Sequence, residues 1–367
     1  LGGTNFSVVA ASVTNIAALY LAVRELECRT SDMVVVGGAD TMQNPFTYLC
    51  FAKTQALSPR GRCCPLDQSA DGIVLGEGIA TVVLKRLEDA ERDGDRIYAV
   101  IKAVAAGSDG RDKSLTAPRI EGQIRTLERA YAKAGIAPAT VALVEAHATG
   151  TEVGDQAEIE ALSRFLARHG AAPQSCAVGS VKSMIGHTKS TAGIAGLIKT
   201  ALALHDKILP PTLGVEKPNK AFLEPKSPIY PNTEPRPWLR CAEDPPRRAG
   251  VSAFGFGGSN FHAVLEEYPG GRRETAWDGS LQILAFSASS REALRQELAA
   301  FAAREPLASE EAWTRAAVGQ RARFDPAEGV RLLFPAAGPQ EALALLREAR
   351  EGLEGGAGPE AFAAQGI

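Results

Sequence analysis

A chain of 367 residues, 45% of them hydrophobic, can bury one large core and a smaller second one without metal or disulfide support. A formal net charge of −3 leaves no excess of cations for a nucleic-acid groove or an anionic membrane face. The cysteines at 28, 50, 63, 64, 176 and 241 follow no regular spacing and read as free thiols of a cytoplasmic protein, with the Cys63-Cys64 pair as a loop feature.

The run 8–23 is uncharged, but it falls short of the ~20 residues of a membrane span and Ser12, Thr14 and Asn15 interrupt it. It reads as a buried strand at 7–11 followed by a helix at 13–26. Further strand-like runs lie at 33–36, 80–84, 97–105, 141–144, 177–181, 249–253 and 261–265, with helical patterns between many of them, the signature of α/β layering. In 120–135 the apolar residues recur at spacings of four and three until Gly135 stops the helix and Pro138 prevents its return. In 155–169 Ile159, Leu162 and Leu166 share one face, Glu160 and Arg164 pair on the other, and Gly170 closes the helix. The Ala- and Gly-rich helix 191–204 has little bulk and suits close packing in the interior. Residues 269–279 read as a linker. Beyond it, strands at 281–287 and 330–334 and helices at 291–304 and 340–350 form a small αβ unit, with a loose tail after 351.

Two histidine segments carry the chemistry: Glu145-Ala146-His147-Ala148-Thr149-Gly150-Thr151 and Ser180-Val181-Lys182-Ser183-Met184-Ile185-Gly186-His187. Each stands where a strand gives way to a helix, the edge at which α/β proteins place reacting groups. A lone histidine is more often structural. Two in equivalent settings, with Lys182 near the second, point to paired donors or bases acting on one atom. A zinc site on His147 and His187 lacks a third and fourth ligand, so no metal is expected. His169 and His205 fall at helix C-termini, where imidazole meets free carbonyls, and His262 lies inside the last strand as a structural residue. Asp155 and Glu158 read as helix-start charges. No glycine-rich phosphate loop follows a strand.

These segments resemble the β-ketoacyl synthases, the decarboxylating condensing enzymes of fatty-acid and polyketide assembly. The resemblance runs from Gly2 to Tyr268. It includes Val35-Val36-Gly37-Gly38-Ala39-Asp40, Ala56-Leu57-Ser58-Pro59-Arg60-Gly61-Arg62-Cys63, Ala70-Asp71-Gly72 with Gly76-Glu77-Gly78, and Phe254-Gly255-Phe256-Gly257-Gly258-Ser259-Asn260. The wording is similar to ketosynthase domains of type I polyketide and polyunsaturated-fatty-acid synthases. The resemblance implies an α/β thiolase-like fold over 1–268, two strand–helix halves back to back. Residues 1–95 would be an incomplete first half, lacking two strands and two helices upstream, and 96–268 a complete second half. It likens 280–367 to the αβ linker domain that precedes an acyltransferase. Loss of the upstream elements implies apolar surface left open in 1–95.

The same resemblance implies that His147 and His187 bind the malonyl thioester carbonyl and that Lys182 supports His147. It gives Thr149 and Thr151 to the phosphopantetheine arm of an acyl carrier protein, and Phe256, Gly257 and Gly258 to an oxyanion hole and acyl gate. Substrates would be acyl and malonyl thioesters, with no bound cofactor, and the domain a homodimer with 7–11 near the interface. Where the family carries its nucleophilic cysteine, this chain has Ser12. A helix N-terminus lowers the pKa of a cysteine usefully but does much less for a serine hydroxyl. Ser12 therefore reads either as a helix cap with acyl transfer lost, or as an activated nucleophile. Three functions stay open: a β-ketoacyl synthase with impaired elongation, a decarboxylase supplying a starter unit, and a non-catalytic dimer partner. The retained His147, His187 and Lys182 argue against the third.

Overall fold

The computed structural model describes residues 2–110, 117–241, 243–269, 280–303 and 309–364. The chain divides into two compact units, Leu1–Glu274 and Thr275–Ile367. In the first, the order is α1 (Thr14–Glu27), β1 (Met33–Asp40), α2 (Pro45–Lys53), β2 (Gly78–Lys85), α3 (Leu87–Asp93), β3 (Val100–Ser108) and α4 (Ile120–Ala134). There follow β4 (Leu143–Glu145), α5 (Glu152–Arg168), β5 (Cys176–Gly179), α6 (Lys182–Ile185), α7 (Ala192–Asp206) and β6 (Ile208–Leu209). The unit closes with β7 (Ile229–Pro231), β8 (Arg236–Pro237), β9 (Arg248–Gly255) and β10 (Ser259–Glu266).

The central sheet has the order β3-β10-β9-β4-β5-β7. Its β3, β10 and β9 run antiparallel, while β9, β4, β5 and β7 run parallel. One face is covered by α4 and α5, through Leu127, Tyr131, Ile159 and Phe165. The other face meets α1 and α7, through Ile16, Leu19, Leu197 and Leu204. Small residues let those two helices touch. A methyl group placed on Gly193 of α7 would stand 2.6 Å from Ile16 Cγ1. On the far side of this helix pair lies the antiparallel pair β1–β2, with Val36 packed against Ala22 and Ile194. The layers are thus sheet, helices, sheet, helices.

The strand expected at 7–11 is not formed. No described segment pairs with it beyond an isolated bridge between Ala10 and Ser12, and Phe6 and Val9 are exposed. Extended backbone without a partner strand leaves its polar groups to water rather than to a ladder. The β1–β2 pair keeps strict alternation, so Val36 and Val82 face the helices while Met33, Val35, Ile79 and Val83 face outward and stay exposed.

In the second unit β11 (Gln282–Ala288) pairs antiparallel with β12 (Val330–Ala336), and α8 (Arg291–Ala302), α9 (Glu310–Arg321), α10 (Pro339–Glu354) and α11 (Pro359–Ala363) complete it. The sequence reading did not assign α9, whose buried face is little more than Trp313 and Ala317. Its start was written in the chain all the same, since the Ser309 hydroxyl accepts the Ala312 N–H at 3.2 Å. The tail is not loose as far as residue 364: α10 runs to Glu354, and Phe362 of α11 is buried. The expected linker 269–279 lies, apart from Pro269, outside the described residues.

Candidate active site

The loops after β4 and β5 bring the two histidine segments together. The His147 and His187 rings lie 5.7 Å apart between centroids and nearly perpendicular, at 83°. Phe254, near the end of β9, packs on His147 at 5.7 Å. Lys182 is buried and its Nζ donates to the His147 carbonyl at 2.5 Å. It opens the short helix α6 rather than ending a strand, because the chain leaves the sheet at Ser180. There the buried Glu145 carboxylate accepts the Val181 N–H at 2.6 Å and the Ser180 hydroxyl accepts the Lys182 N–H at 3.3 Å.

Three buried carboxylates shape these loops. Glu158 accepts the N–H groups of His147 and Ala148 at 2.8 and 2.7 Å. Asp155 accepts those of Thr149, Gly150 and Leu66 at 3.0, 3.2 and 2.9 Å. Glu145 holds Val181 and the ammonium of Lys199. Asp155 does stand in the first turn of α5, as the helix-start reading had it, whereas Glu158 lies beyond that turn; both are interior acceptors that clasp the 147–150 loop to α5. Their helical phase was a usable signal, since both share the buried face of α5 with Ile159, Leu162 and Phe165. Burial raises Asp155 to about 6 and raises Glu158 as well. Burial also pulls Lys182 below the usual ammonium range, against the opposing pull of Glu145 and Glu158.

Both imidazoles are held neutral. Burial is the main cause for each, reinforced by the nearby Lys182; it takes His187 to about 3 and His147 well below its ordinary value. The tautomer of His187 follows from one contact. The Lys189 N–H donates to His187 Nδ1 at 3.0 Å, so Nδ1 bears the lone pair and Nε2 carries the proton. The backbone entering His187 is set by Gly186, at φ +72°, where a methyl group would meet the Val74 carbonyl at 2.8 Å. A neutral imidazole of this kind offers one N–H to a developing oxyanion and cannot also act as a cation.

Thr149 and Thr151 place their hydroxyls 3.1 Å apart on the loop after His147. Phe256, Gly257 and Gly258 form the turn between β9 and β10, with the Phe256 ring exposed at its tip. Ser12 sits in the turn before α1. The preceding Ala11 is left-handed at φ +48°, and Thr14 spans the turn, its hydroxyl donating to the Ala11 carbonyl and accepting the Ala10 N–H. The N-cap position falls on Val13, without a side-chain cap, so Ser12 does not cap the helix. This tight turn starts α1 one residue too late for the Ser12 hydroxyl to reach its first free N–H groups. That hydroxyl makes no hydrogen bond among the described residues. A methyl group on Gly255 would lie 3.4 Å from the Ala10 carbonyl and from Val13, which sets the Ser12 turn beside the end of the strand that carries Phe254 onto His147.

The other histidines are structural in their contacts. His262 is buried between the Ser252 hydroxyl at 2.9 Å and Tyr131 at 3.3 Å, His169 meets Glu128, and His205 meets Asp206. All six cysteines are free thiols. No helix among the described residues is long and apolar enough to cross a membrane.

Comparison with known proteins bears on the whole first unit. Family models match residues 1–90 (Beta-ketoacyl synthase, N-terminal domain), 98–216 (Beta-ketoacyl synthase, C-terminal domain) and 218–322 (Ketoacyl-synthetase C-terminal extension). The chain is 41% identical over 268 residues to the polyketide synthase PksL of Bacillus subtilis, covering 73% of this chain and 6% of that protein. It is 44% identical over 272 residues to a polyunsaturated fatty acid synthase polypeptide of Thraustochytrium sp., covering 73% and 10%. Among solved structures, a cysteine-to-serine variant of the ketosynthase from module 6 of the bacillaene synthase of Bacillus subtilis 168 aligns with TM-score 0.70 at 35% identity, covering 94% of this chain and 59% of that one. An oxazolomycin ketosynthase domain of Streptomyces albus JA3453 aligns with TM-score 0.71 at 33% identity, covering 98% and 62%. The chain thus spans a small part of its curated relatives and about 60% of these solved chains. The layered α/β architecture is thiolase-like, as the resemblance implied. With both halves of the family matched in sequence and the same fold around the paired histidines, the chain belongs to the β-ketoacyl synthase family.

Proposed function

We propose that this chain carries the decarboxylating, enolate-holding centre of a β-ketoacyl synthase that joins acyl and malonyl units delivered on an acyl carrier protein. The pair of neutral imidazoles 5.7 Å apart, one of them pinned as an Nε2–H donor, carries the reading. A malonyl thioester carbonyl lies between His147 and His187. The bond from C2 to the carboxylate breaks, carbon dioxide leaves, and the electron pair passes into the enolate oxygen held by the two N–H groups. C2 then attacks an acyl carbonyl on the residue-12 nucleophile, the new carbon–carbon bond forms as the bond from the acyl carbon to that side chain breaks, and the released side chain takes a proton from water. Donors fixed before the reaction need no reorganisation as charge develops.

Lys182 supports His147 through its carbonyl. The paired hydroxyls of Thr149 and Thr151 receive the phosphopantetheine arm. The Ser12 and Phe256 N–H groups serve as the oxyanion hole, and Phe256, on the Gly257-Gly258 turn, is the acyl gate. The reaction requires no bound cofactor.

Ser12 sets the balance between steps. Its hydroxyl makes no hydrogen bond to a base among the described residues, and an acyl serine is an oxoester, so condensation is weakened while loss of carbon dioxide is retained. The likeness to polyketide and polyunsaturated-fatty-acid synthases favours the condensing role over a starter-unit decarboxylase or a non-catalytic dimer partner. The homodimer belongs to the same proposal, with 7–11 near the interface; the exposure of Phe6 and Val9 supports it. A neighbouring acyltransferase and a cytoplasmic setting are further parts of the proposal.

Radiolabelled malonyl-carrier protein separates the steps. The Ser12 protein should release carbon dioxide and condense poorly, Ser12→Cys should gain condensation, and His187→Ala should lose carbon dioxide release by on the order of 100-fold. Brisk condensation by the Ser12 form with no gain in Ser12→Cys would refute the weakened-nucleophile reading. Light scattering on the intact chain tests the dimer, and a folded monomer at micromolar concentration would count against it.

A further inference from the structure

His187 owes its tautomer to the Lys189 N–H, and Lys189 itself sits at φ +52°, a left-handed conformation that a lysine keeps only when its surroundings hold it. The hold comes from the other half of the unit. Lys189 Nζ lies 3.0 Å from Oδ1 of Asp40, the last residue of β1, and donates to the Gly76 carbonyl at 3.0 Å. The next residue, Ser190, donates its N–H and its hydroxyl to Oδ2 of the same carboxylate, at 3.2 and 2.9 Å. Both side chains of the ion pair are largely shielded, at 12% and 13% exposure.

The backbone of His187 is fixed separately: its N–H donates to the Val74 carbonyl at 2.7 Å and its own carbonyl accepts the Gly76 N–H at 3.0 Å. Those contacts seat the residue but leave the ring free to turn about its side-chain torsions. Among the described residues, the Lys189 N–H is the one hydrogen-bond partner of the ring. Its direction depends on a strained residue tethered to Asp40.

We propose that Asp40 and Lys189 are a positioning pair that keeps His187 in its Nε2–H form; the inference rests on the reading of His187 as the enolate donor. Opening the pair lets Lys189 relax to an ordinary backbone conformation and turns its N–H away from Nδ1. The ring then also populates the Nδ1–H tautomer, which presents a lone pair instead of a donor toward the enolate. Asp40 and Lys189 thus act through the His187 ring. The pair also makes the donor state of His187, in the second half of the unit, depend on the docking of β1, in the first.

The test uses nitrogen-15 histidine labelling of the full chain, whose five histidines give five resolvable ring systems, with His187→Gln assigning the signal. The wild type should show the Nε2–H pattern at His187. Asp40→Asn and Lys189→Met should each give a mixed tautomer and slow carbon dioxide release roughly 10- to 100-fold, with KM within about twofold. Lys189→Gly, which tolerates the left-handed backbone without a tether, should lose less than Lys189→Met. An unchanged Nε2–H signal in both Asp40→Asn and Lys189→Met overturns the pairing. A shifted tautomer in those variants, together with undiminished carbon dioxide release by His187→Ala, upholds the pairing and instead overturns the reading of His187.

Discussion

Lys199 on α7 reaches Glu145 at the end of β4, with Nζ 2.8 Å from Oε2, while the other oxygen of that carboxylate accepts the Val181 N–H. One buried group therefore ties together the strand that leads to His147, the turn that leads to Lys182, and the helix between the two sheets. Gly196 allows this closeness, since a methyl group there would stand 2.9 Å from Glu145 Cγ.

Removing Lys199 takes the ion-pair partner from the buried Glu145 carboxylate and leaves it the Val181 N–H as a hydrogen bond. Lys199→Met should cost about 3–5 kcal/mol. Adding Glu145→Gln to it should return part of that loss, because the stranded carboxylate disappears. A double-mutant cycle by urea denaturation measures the coupling. A single-mutant cost below about 0.5 kcal/mol would show that the pair is not structural.

Gly250 on β9 lies diagonally across the ladder from His262, and a methyl group there would stand 2.6 Å from the ring and 3.1 Å from the Tyr131 hydroxyl. Gly250→Ala must push the ring off Ser252 or spread the strands, at about 1–3 kcal/mol. A lowered Tm with the far-ultraviolet spectrum intact is the expected result.

His262 also sets a pH dependence. Burial lowers it to about 3, whereas in the unfolded chain it titrates near its ordinary value of 6.5. Between those values the unfolded state binds the proton and the native state does not. The contribution is fully present above about pH 6.5 and falls by up to about 1.4 kcal/mol for each pH unit below it. Denaturation at pH 7.5 and pH 5 should show a smaller difference in His262→Gln than in the parent, even if the variant is less stable at both.

Val35 and Val83 are direct cross-strand partners on the outward face of β1–β2, and both are exposed. Val35→Lys with Val83→Glu should change stability by no more than about 0.5 kcal/mol and should reduce self-association seen by light scattering. A loss of several kcal/mol would mean that this face is covered.

Strand and helix order in the first unit was legible because each segment agrees with its own periodicity. The alternating Val36 and Val82 and the four-three spacing of Ile124, Leu127 and Tyr131 carry their burial in the chain itself. The stretch 7–11 misled because β-forming composition says nothing about whether a partner strand exists. The His147 and His187 loops were readable as a pair because each falls between a strand pattern and a helix pattern.

What the sequence alone determined, then, is the family, the layered α/β order and the residues that chemistry would use. Only the tertiary structure decided their states. Whether Asp155 and Glu158 are surface charges or interior acceptors depends on which way α5 turns its face, and loop N–H groups from 147–150 and Leu66 settle it. The neutrality of His147 and His187 comes from burial and from Lys182, which lies 35 residues from His147 in sequence but donates to its carbonyl. The Nε2–H tautomer of His187 comes from one amide on a strained residue held by Asp40, 149 positions upstream of Lys189. Desolvation and hydrogen bonding across such separations act through space, and no local pattern in the chain encodes them.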